Sequence, residues 1–564
     1  LRYFYQNLIE LKKIVFWFIL FAGWSCMGQN LYLQISGTNP EETQTIDSIG
    51  YVSKHNNAKS IVAESDAFSE KLSKIGYLEH ELESNVKTND SVFTFRYRLG
   101  KRTAMIRIYI GTNPQLQTLS LFDNKKDTLV MPYADVEVFL NGTLDKLEKK
   151  GYALSKLQLV NIKKNGNNLS ADLKLSLENR RQVNEIVING YDKFPAGHKA
   201  NIQRMYRNKI FNQGNLKKIY NDFEKFRFIK QVKYPEILFA KDSTKIYVYL
   251  EKAQANSFDG YIGFSNNEQE KIIFNGYVDL ALNNIVNTGE TLTLYWKSDG
   301  EKQKTFNAAV ELPYVFKSPF GLKAQLNIFK QDSTFQNTKT AVDIGYFFNY
   351  NTRLYLGYQS TESSDIQNAN TSGISDFKNS FVTTNFEFLD FKPEDFLFPQ
   401  KTRVNMKFGL GNRVSKFQNN KQLFVSVDLA HNIYLNDKNS INIKSQDYYL
   451  KSDVYIVNEL YRFGGINSIR GFNENSLQAS LYTSILTEYR YVLTPGIYTH
   501  SIIDYGYYED QTSQNKGTLL GLGFGFGLLT KNGLFNIIYA NGSAGSETIK
   551  LSNSIIHVSF KVNF

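Results

Sequence analysis

Sulfur is almost missing from this 564-residue chain, which has a single cysteine, Cys26. Disulfides and thiolate metal sites need more than one, so neither is expected, and no metal or other cofactor is implied. Long apolar runs are missing beyond the first residues. With 42% hydrophobic residues and a mean hydropathy of -0.36, a bundle of membrane helices is excluded. There is no Gly-x-Ser-x-Gly elbow, no His-Glu-x-x-His helix and no phosphate loop. The 6 histidines are scattered, and His431, His500 and His557 read as strand-face residues, so no enzyme is expected. A barrel hydrolase, which needs only a few dispersed residues, is the catalytic alternative. Proline is scarce at 10 residues, whereas tyrosine and phenylalanine number 36 and 42. Aromatic residues favour strands and form girdles at membrane interfaces, so the composition suits an outer-membrane barrel as well as a soluble protein.

Residues 1–28 read as an export signal. Lys12 and Lys13 precede the apolar run Ile14 to Ala22, and small Gly28 suits the residue before cleavage. The run is short for a spanning helix, and Trp24 disfavours lipoprotein processing at Cys26. The net charge is +11, with a basic stretch from 193 to 233 that includes Lys199, Arg204, Arg207, Lys209, Lys217 and Lys218. In an exported chain this reads as a solvated helix face or as a contact for anionic lipid or an acidic partner, rather than for nucleic acid.

Before residue 254 the chain repeats itself with a period of about seventy-five residues. Ile35-Ser36-Gly37-Thr38-Asn39-Pro40 returns as Tyr109-Ile110-Gly111-Thr112-Asn113-Pro114, and more loosely as Ile188-Asn189-Gly190 with Pro195 following. Three modules are expected, over 29–103, 104–182 and 183–254, each ordered strand, helices, strand, strand. Helical spacing marks Ile61 to Ile75, Val136 to Leu147 and Leu216 to Ile229. Leu116 to Met131 is readable as a helix or as an irregular hairpin. Small mixed modules leave sheet edges that accept an added strand, which suits a client-binding arm; a rigid spacer is the alternative.

From residue 255 to 564 helical spacing gives way to alternation. Ile272, Phe274, Gly276, Val278, Leu280 and Leu282 share one face, with Asn275, Tyr277 and Asp279 on the other. About sixteen such segments can be placed, the even number of a single-chain antiparallel barrel. The last runs through Ile556, Val558, Phe560, Val562 and terminal Phe564. The glycines Gly521, Gly523, Gly525 and Gly527 keep a strict period of two, so they clear one strand face and do not form a nucleotide loop. One interval, 451–476, is too long for a turn. It contains Phe463-Gly464-Gly465-Ile466-Asn467-Ser468-Ile469-Arg470-Gly471-Phe472.

On these residues the chain resembles the outer-membrane assembly superfamily that includes BamA, TamA and the two-partner secretion transporters. The repeats look like polypeptide-transport-associated (POTRA) modules, and the remainder like the sixteen-stranded barrel. Gly464, Gly465, Ile469, Arg470, Gly471 and Phe472 match the family's sixth-loop signature. The resemblance implies a loop folded into the lumen, with Arg470 held by Asp504 and Glu488, which alternation also points inward. Ile502 stands where the family has an aromatic residue. The resemblance further implies a lateral seam between the first and last strands, at Phe258, Gly260, Gly263, Val558, Phe560, Val562 and Phe564. The implied place is the outer membrane of a Gram-negative bacterium, with the modules in the periplasm. Client proteins, membrane lipids and periplasmic or inner-membrane proteins are the implied partners. The implied activity is client insertion through the seam, with a secretion pore or lipid transfer as alternatives. Three modules make a TamA-type member the expected subtype.

Overall fold

The computed structural model describes residues 30–111, 127–266, 272–299, 303–371, 373–392, 395, 397–531, 533–545 and 554–563. The expected export signal and Phe564 lie outside them. The chain divides into two compact units, one of residues up to Arg181 with Ile210–Gln213, the other of Gln182–Lys209 with Gly214 onward.

In the first unit, β1 (Leu31–Gly37), α1 (Pro40–Ile49), β2 (Lys54–His55), α2 (Ala58–Lys74), β3 (Glu81–Lys87) and β4 (Val92–Arg98) form one module. Its sheet runs β2-β1-β4-β3, with β1 parallel to β4. The repeated Gly-Thr-Asn-Pro motif makes the corner between strand and helix. Gly37 ends β1, the Asn39 side chain accepts the Glu42 N–H at 2.8 Å, and Pro40 opens α1 where no backbone donor is needed. Ile46, Ile61, Phe68 and Leu72 then close over Leu33, Ile35, Phe95 and Tyr97. A second module repeats the plan with β5 (Met105–Tyr109), β6 (Thr128–Pro132), α3 (Val136–Lys149), β7 (Lys156–Asn165) and β8 (Asn168–Ser176), β5 lying parallel to β8. The ambiguous stretch Leu116 to Met131 ends in β6, paired antiparallel to β5, while residues 112–126 lie outside the description. Among the described residues this module has one α-helix where two were expected.

The second unit begins with a third module of β9 (Glu185–Asn189), α4 (Ala196–Tyr206), α5 (Gln213–Glu224), β10 (Ile229–Phe239) and β11 (Thr244–Lys252), again with first and last strands parallel. The helix expected to reach Ile229 stops at Glu224, because Phe226 and Phe228 turn into the core and Ile229 already belongs to β10.

A closed antiparallel barrel of sixteen strands follows. Its strands are β12 (Ser257–Asn266), β13 (Ile272–Asn283), β14 (Thr291–Asp299), β15 (Gln303–Leu312), β16 (Phe320–Gln331), β17 (Phe335–Asn349), β18 (Thr352–Asp365), β19 (Phe377–Phe391), β20 (Gln400–Ser415), β21 (Asn419–Tyr434) and β22 (Asn439–Lys451). After a long loop carrying the short β23 (Tyr461–Phe463) and β24 (Leu477–Ala479), the wall resumes with β25 (Leu481–Thr494), β26 (Ile497–Asp510), β27 (Asn515–Thr530), β28 (Gly533–Ala544) and β29 (Ile555–Asn563). The wall is inverted relative to a water-soluble protein. On β17, Val342 and Ile344 are 60% and 56% exposed, while Asp343 between them is 3% exposed. On β18, exposed Leu354, Leu356 and Tyr358 likewise alternate with buried Arg353, Tyr355 and Gln359. Such a surface is stable against hydrocarbon, where closure also gives strand edges backbone partners. No helix among the described residues is long and apolar enough to cross a membrane.

The third module is joined to the barrel through an aromatic box. His198 of α4 is fully buried, with the rings of Phe226, Phe228, Tyr314 and Tyr350 at 4.9–5.4 Å. Among the described residues neither of its ring nitrogens has a hydrogen-bond partner. Asn201 and Arg204 hold the turn after β15, donating to the carbonyls of Ser318 at 3.0 Å and Lys317 at 2.8 Å. Arg204, expected on a solvated face, therefore helps to fasten the joint.

Burial, reinforced by the nearby Arg353 guanidinium, pushes the His198 imidazole down from 6.5 to about 3. The released state binds a proton more readily than the joined one. The joint is thus at full strength above about pH 6.5 and weakens as pH falls towards 3, losing about 2 kcal/mol by pH 5. The urea midpoint for releasing the module should fall between pH 7.5 and 5 in the wild type, and less in His198→Phe.

Candidate functional site

The loop between β22 and β25 enters the lumen because its two ends are tied to different parts of the wall. Its first half is fixed at Val457–Glu459, a single 3-10 turn. There the Val457 N–H donates to the Gly373 carbonyl at 2.8 Å, and Asn458 donates to Ser363 Oγ at 2.7 Å and the Ser375 carbonyl at 2.8 Å. Glu459 pairs with Arg413 of β20, both side chains being 1% exposed. Gln422 of β21 donates to the second Glu459 oxygen at 2.7 Å.

Beyond this anchor β23 and β24 form a small hairpin inside the barrel. Tyr461 stacks on Tyr448, and Phe463 on Tyr482 with ring centroids 4.0 Å apart. The wall resumes only at Leu481, because 477–479 pair with β23 instead of the wall. Gly464 and Gly465 both have φ of +104°, a conformation that bulkier residues resist, and they turn the chain into the tip. Ile469 is then fully buried against Phe463, Tyr482, Leu486 and Leu519, with Phe472 alongside.

Arg470 occupies the tip, 3% exposed. Its Nε donates to Asp504 Oδ2 at 2.8 Å and its Nη2 to Asp504 Oδ1 at 2.6 Å, a two-pronged grip that a lysine ammonium cannot reproduce. The Arg470 backbone N–H reaches the same carboxylate at 3.0 Å, and Nη1 takes Glu488. Glu488 is shared with Arg490, whose Nε donates to it at 2.8 Å and whose guanidinium lies 4.2 Å from the Phe398 ring. The two guanidiniums and two carboxylates thus gather in a buried cluster formed by the tip, β25 and β26, with the Lys444 ammonium of β22 also acting on Glu488.

The tip also rests on backbone. A Cβ on Gly471 would lie 2.3 Å from the main chain of Asn541 and Gly542, and one on Gly521 would lie 2.3 Å from the Arg470 carbonyl. Within the expected glycine row, Gly521 clears the wall for the loop tip. Gly525 and Gly527 instead make room for the rings of His500 and Tyr498. Ile502, in place of an aromatic residue, is buried with Ile538 and Ala540, with Ile466 of the loop packed against them.

The seam is narrower than the residues assigned to it. Only Ser257, Phe258 and Asp259 pair with β29, opposite Asn563, Val562 and Lys561. Gly260 and Gly263 have no partner in β29, and Val558 and Phe560 pair with β28 instead. Phe564 lies outside the described residues. The ladder stops where the Asp259 side chain intervenes, accepting the Phe560 N–H at 3.3 Å and the Tyr277 hydroxyl at 2.7 Å. Every other neighbouring pair of barrel strands shares at least seven residue pairs.

Sequence reasoning missed the Arg413–Glu459 anchor. Alternation along β20 faces Arg413 inward, and Glu459 is an isolated charge in the run from Tyr455 to Leu460, but nothing in the sequence joins the two. Among the described residues no three His, Cys, Asp or Glu side chains gather as metal ligands.

Removing one member of a buried ion pair costs about 3–5 kcal/mol, whereas replacing both by apolar residues can be nearly neutral. Arg470→Ala should release the tip, seen as faster hydrogen exchange over 464–476, and Arg470→Lys should restore little; Arg490→Ala should have a smaller effect, because Glu488 keeps Arg470. At the other anchor Arg413→Met should free residues 455–460 to external protease, and Arg413→Met with Glu459→Met should protect them again.

No known protein-family profile and no curated protein sequence matches the chain. Solved structures do. CdiB from Acinetobacter baumannii aligns over 81% of this chain and 90% of its own, at 13% identity and a TM-score of 0.51. CdiB from Escherichia coli aligns over 89% and 97%, at 13% identity and a TM-score of 0.50. BamA from Haemophilus ducreyi lacking POTRA domains 1–3 aligns over 81% and 98%, at 14% identity and a TM-score of 0.48. The chain therefore shares the fold of the two CdiB structures, its small α/β modules leading into a closed barrel of sixteen strands.

Proposed function

We propose that the protein inserts client proteins into the outer membrane of a Gram-negative bacterium. The third module and the barrel act together, the modules receive clients in the periplasm, and a client strand pairs with the seam edge of β12. The three-pair seam carries this reading. Among the described residues, β12 from Gly260 to Asn266 pairs with β13 alone, so its other edge is left for an incoming strand. A strand added there satisfies its own backbone as it meets lipid. The work is non-catalytic. Arg470, with Asp504 and Glu488, is a latch that fixes the loop while the seam works. The three modules support a TamA-type subtype.

The likeness to CdiB favours a second reading, a pore through which an unfolded partner leaves. That role requires the loop to vacate the lumen, against both of its anchors, whereas opening the seam leaves them intact.

The test is a disulfide across the seam, from Phe258→Cys and Val562→Cys with Cys26 replaced by serine. Client insertion by the purified protein in liposomes should fall at least tenfold when the pair is oxidised and return on reduction. Undiminished insertion by fully cross-linked protein removes the seam mechanism, and a large steady conductance in planar bilayers, unchanged by the cross-link, supports the pore.

A further inference from the structure

The turn after β15 is held in a conformation that its residues do not favour. Tyr314, Phe316 and Lys317 have φ of +55°, +53° and +59°, in the left-handed region that large side chains avoid. Such backbone persists only where its surroundings fix it, and here both ends are fixed. Tyr314 is buried in the box around His198, and the carbonyls of Lys317 and Ser318 are bound by Arg204 and Asn201. The result is that Phe316 points away from the protein with 98% of its surface exposed.

The surroundings say what meets this ring. The outward face of the same barrel end is aromatic. Phe320 packs on Tyr346 and Tyr346 on Phe348, with ring centroids 5.5 and 5.1 Å apart, in the position of an interfacial girdle. Phe316 lies in the turn that leads into β16, four residues before Phe320. Lys317 and Arg204 beside it are exposed, and Arg204 has hydrogen bonds only to neutral groups. An aromatic ring flanked by cations matches the boundary between acyl chains and anionic head groups.

We propose that the turn Tyr314–Ser318 is a lipid-binding foot. Phe316 enters the leaflet at the module end of the barrel, and Lys317 and Arg204 meet phospholipid phosphates. Because Tyr314 is two residues away in the joint, the foot sets the third module against the bilayer surface. The proposal rests on the barrel's spanning a bilayer, and the experiment separates the two.

In the full chain, Phe316→Trp is combined with Trp296→Phe, with Trp17 and Trp24 also replaced by phenylalanine where the first 28 residues are kept. The protein is reconstituted in phosphatidylethanolamine–phosphatidylglycerol vesicles with lipids brominated near to, or far from, the head group. The parent protein, reporting from Trp296 on the outward face of β14, is the control. Emission from residue 316 should be blue-shifted and quenched at least twofold more by shallow than by deep bromines. Quenching at Trp296 with none at 316 overturns the foot and leaves the barrel in place. Quenching at neither position overturns the bilayer reading itself.

Discussion

A peptide group in hydrocarbon has no water to bond, and the rest of this molecule follows from that constraint. It requires a sheet that closes on itself, which moves the charged residues inward and leaves aliphatic and aromatic side chains outside. Sixteen strands meet the requirement almost everywhere. The exception is β12 against β29, where the ladder holds for three residues and then gives way to a side-chain carboxylate. Asp259 provides an acceptor where a strand would have provided a carbonyl. The local hydrogen bond is made, but the continuation of the ladder is not.

The inward charges make the lumen a place where polar structure can be fixed firmly. The loop uses it twice. Glu459 ties the stalk to β20 and β21, and Arg470 ties the tip to β25 and β26, so the loop is held to the wall on both sides of β22. Between the two ties, a stack of tyrosine and phenylalanine rings takes the place of a soluble protein's aliphatic core. The tip approaches the wall closely because β27 and β28 present glycine to it. Shape and charge therefore act at the same residues: Gly471 brings the main chain in, and Arg470 holds it.

Much of this was legible in the residues. Period-two alternation marks the barrel and faces Glu488 and Asp504 inward, and in the first module Gly37-Thr38-Asn39-Pro40 marks the corner because a strand end, an N-cap and a first-turn proline each need a particular residue. What escaped depends on register between distant segments. Nothing in β29 shows that its pairing with β12 stops at Lys561. Nothing near Glu459 points to Arg413, and His198 reads as one more residue of a basic stretch until the rings of Phe226, Tyr314 and Tyr350 close around it. The helix through Leu216 overran for the same reason. Phe226 and Phe228 fit its apolar pattern equally well as strand-entry residues, and the box at the joint settles which they are.

The short seam also bears on how the chain reaches its own folded state. Apart from β22 and β25, neighbouring strands elsewhere are linked by shorter connections and can pair as successive hairpins, whereas Asp259 and Phe560 lie 301 residues apart. Closing a loop of that length carries the largest entropic cost in the barrel, and three residue pairs return little against it. The seam is thus the last junction to form. Before it closes, the wall is an open, curved sheet whose two free edges are β12 and β29.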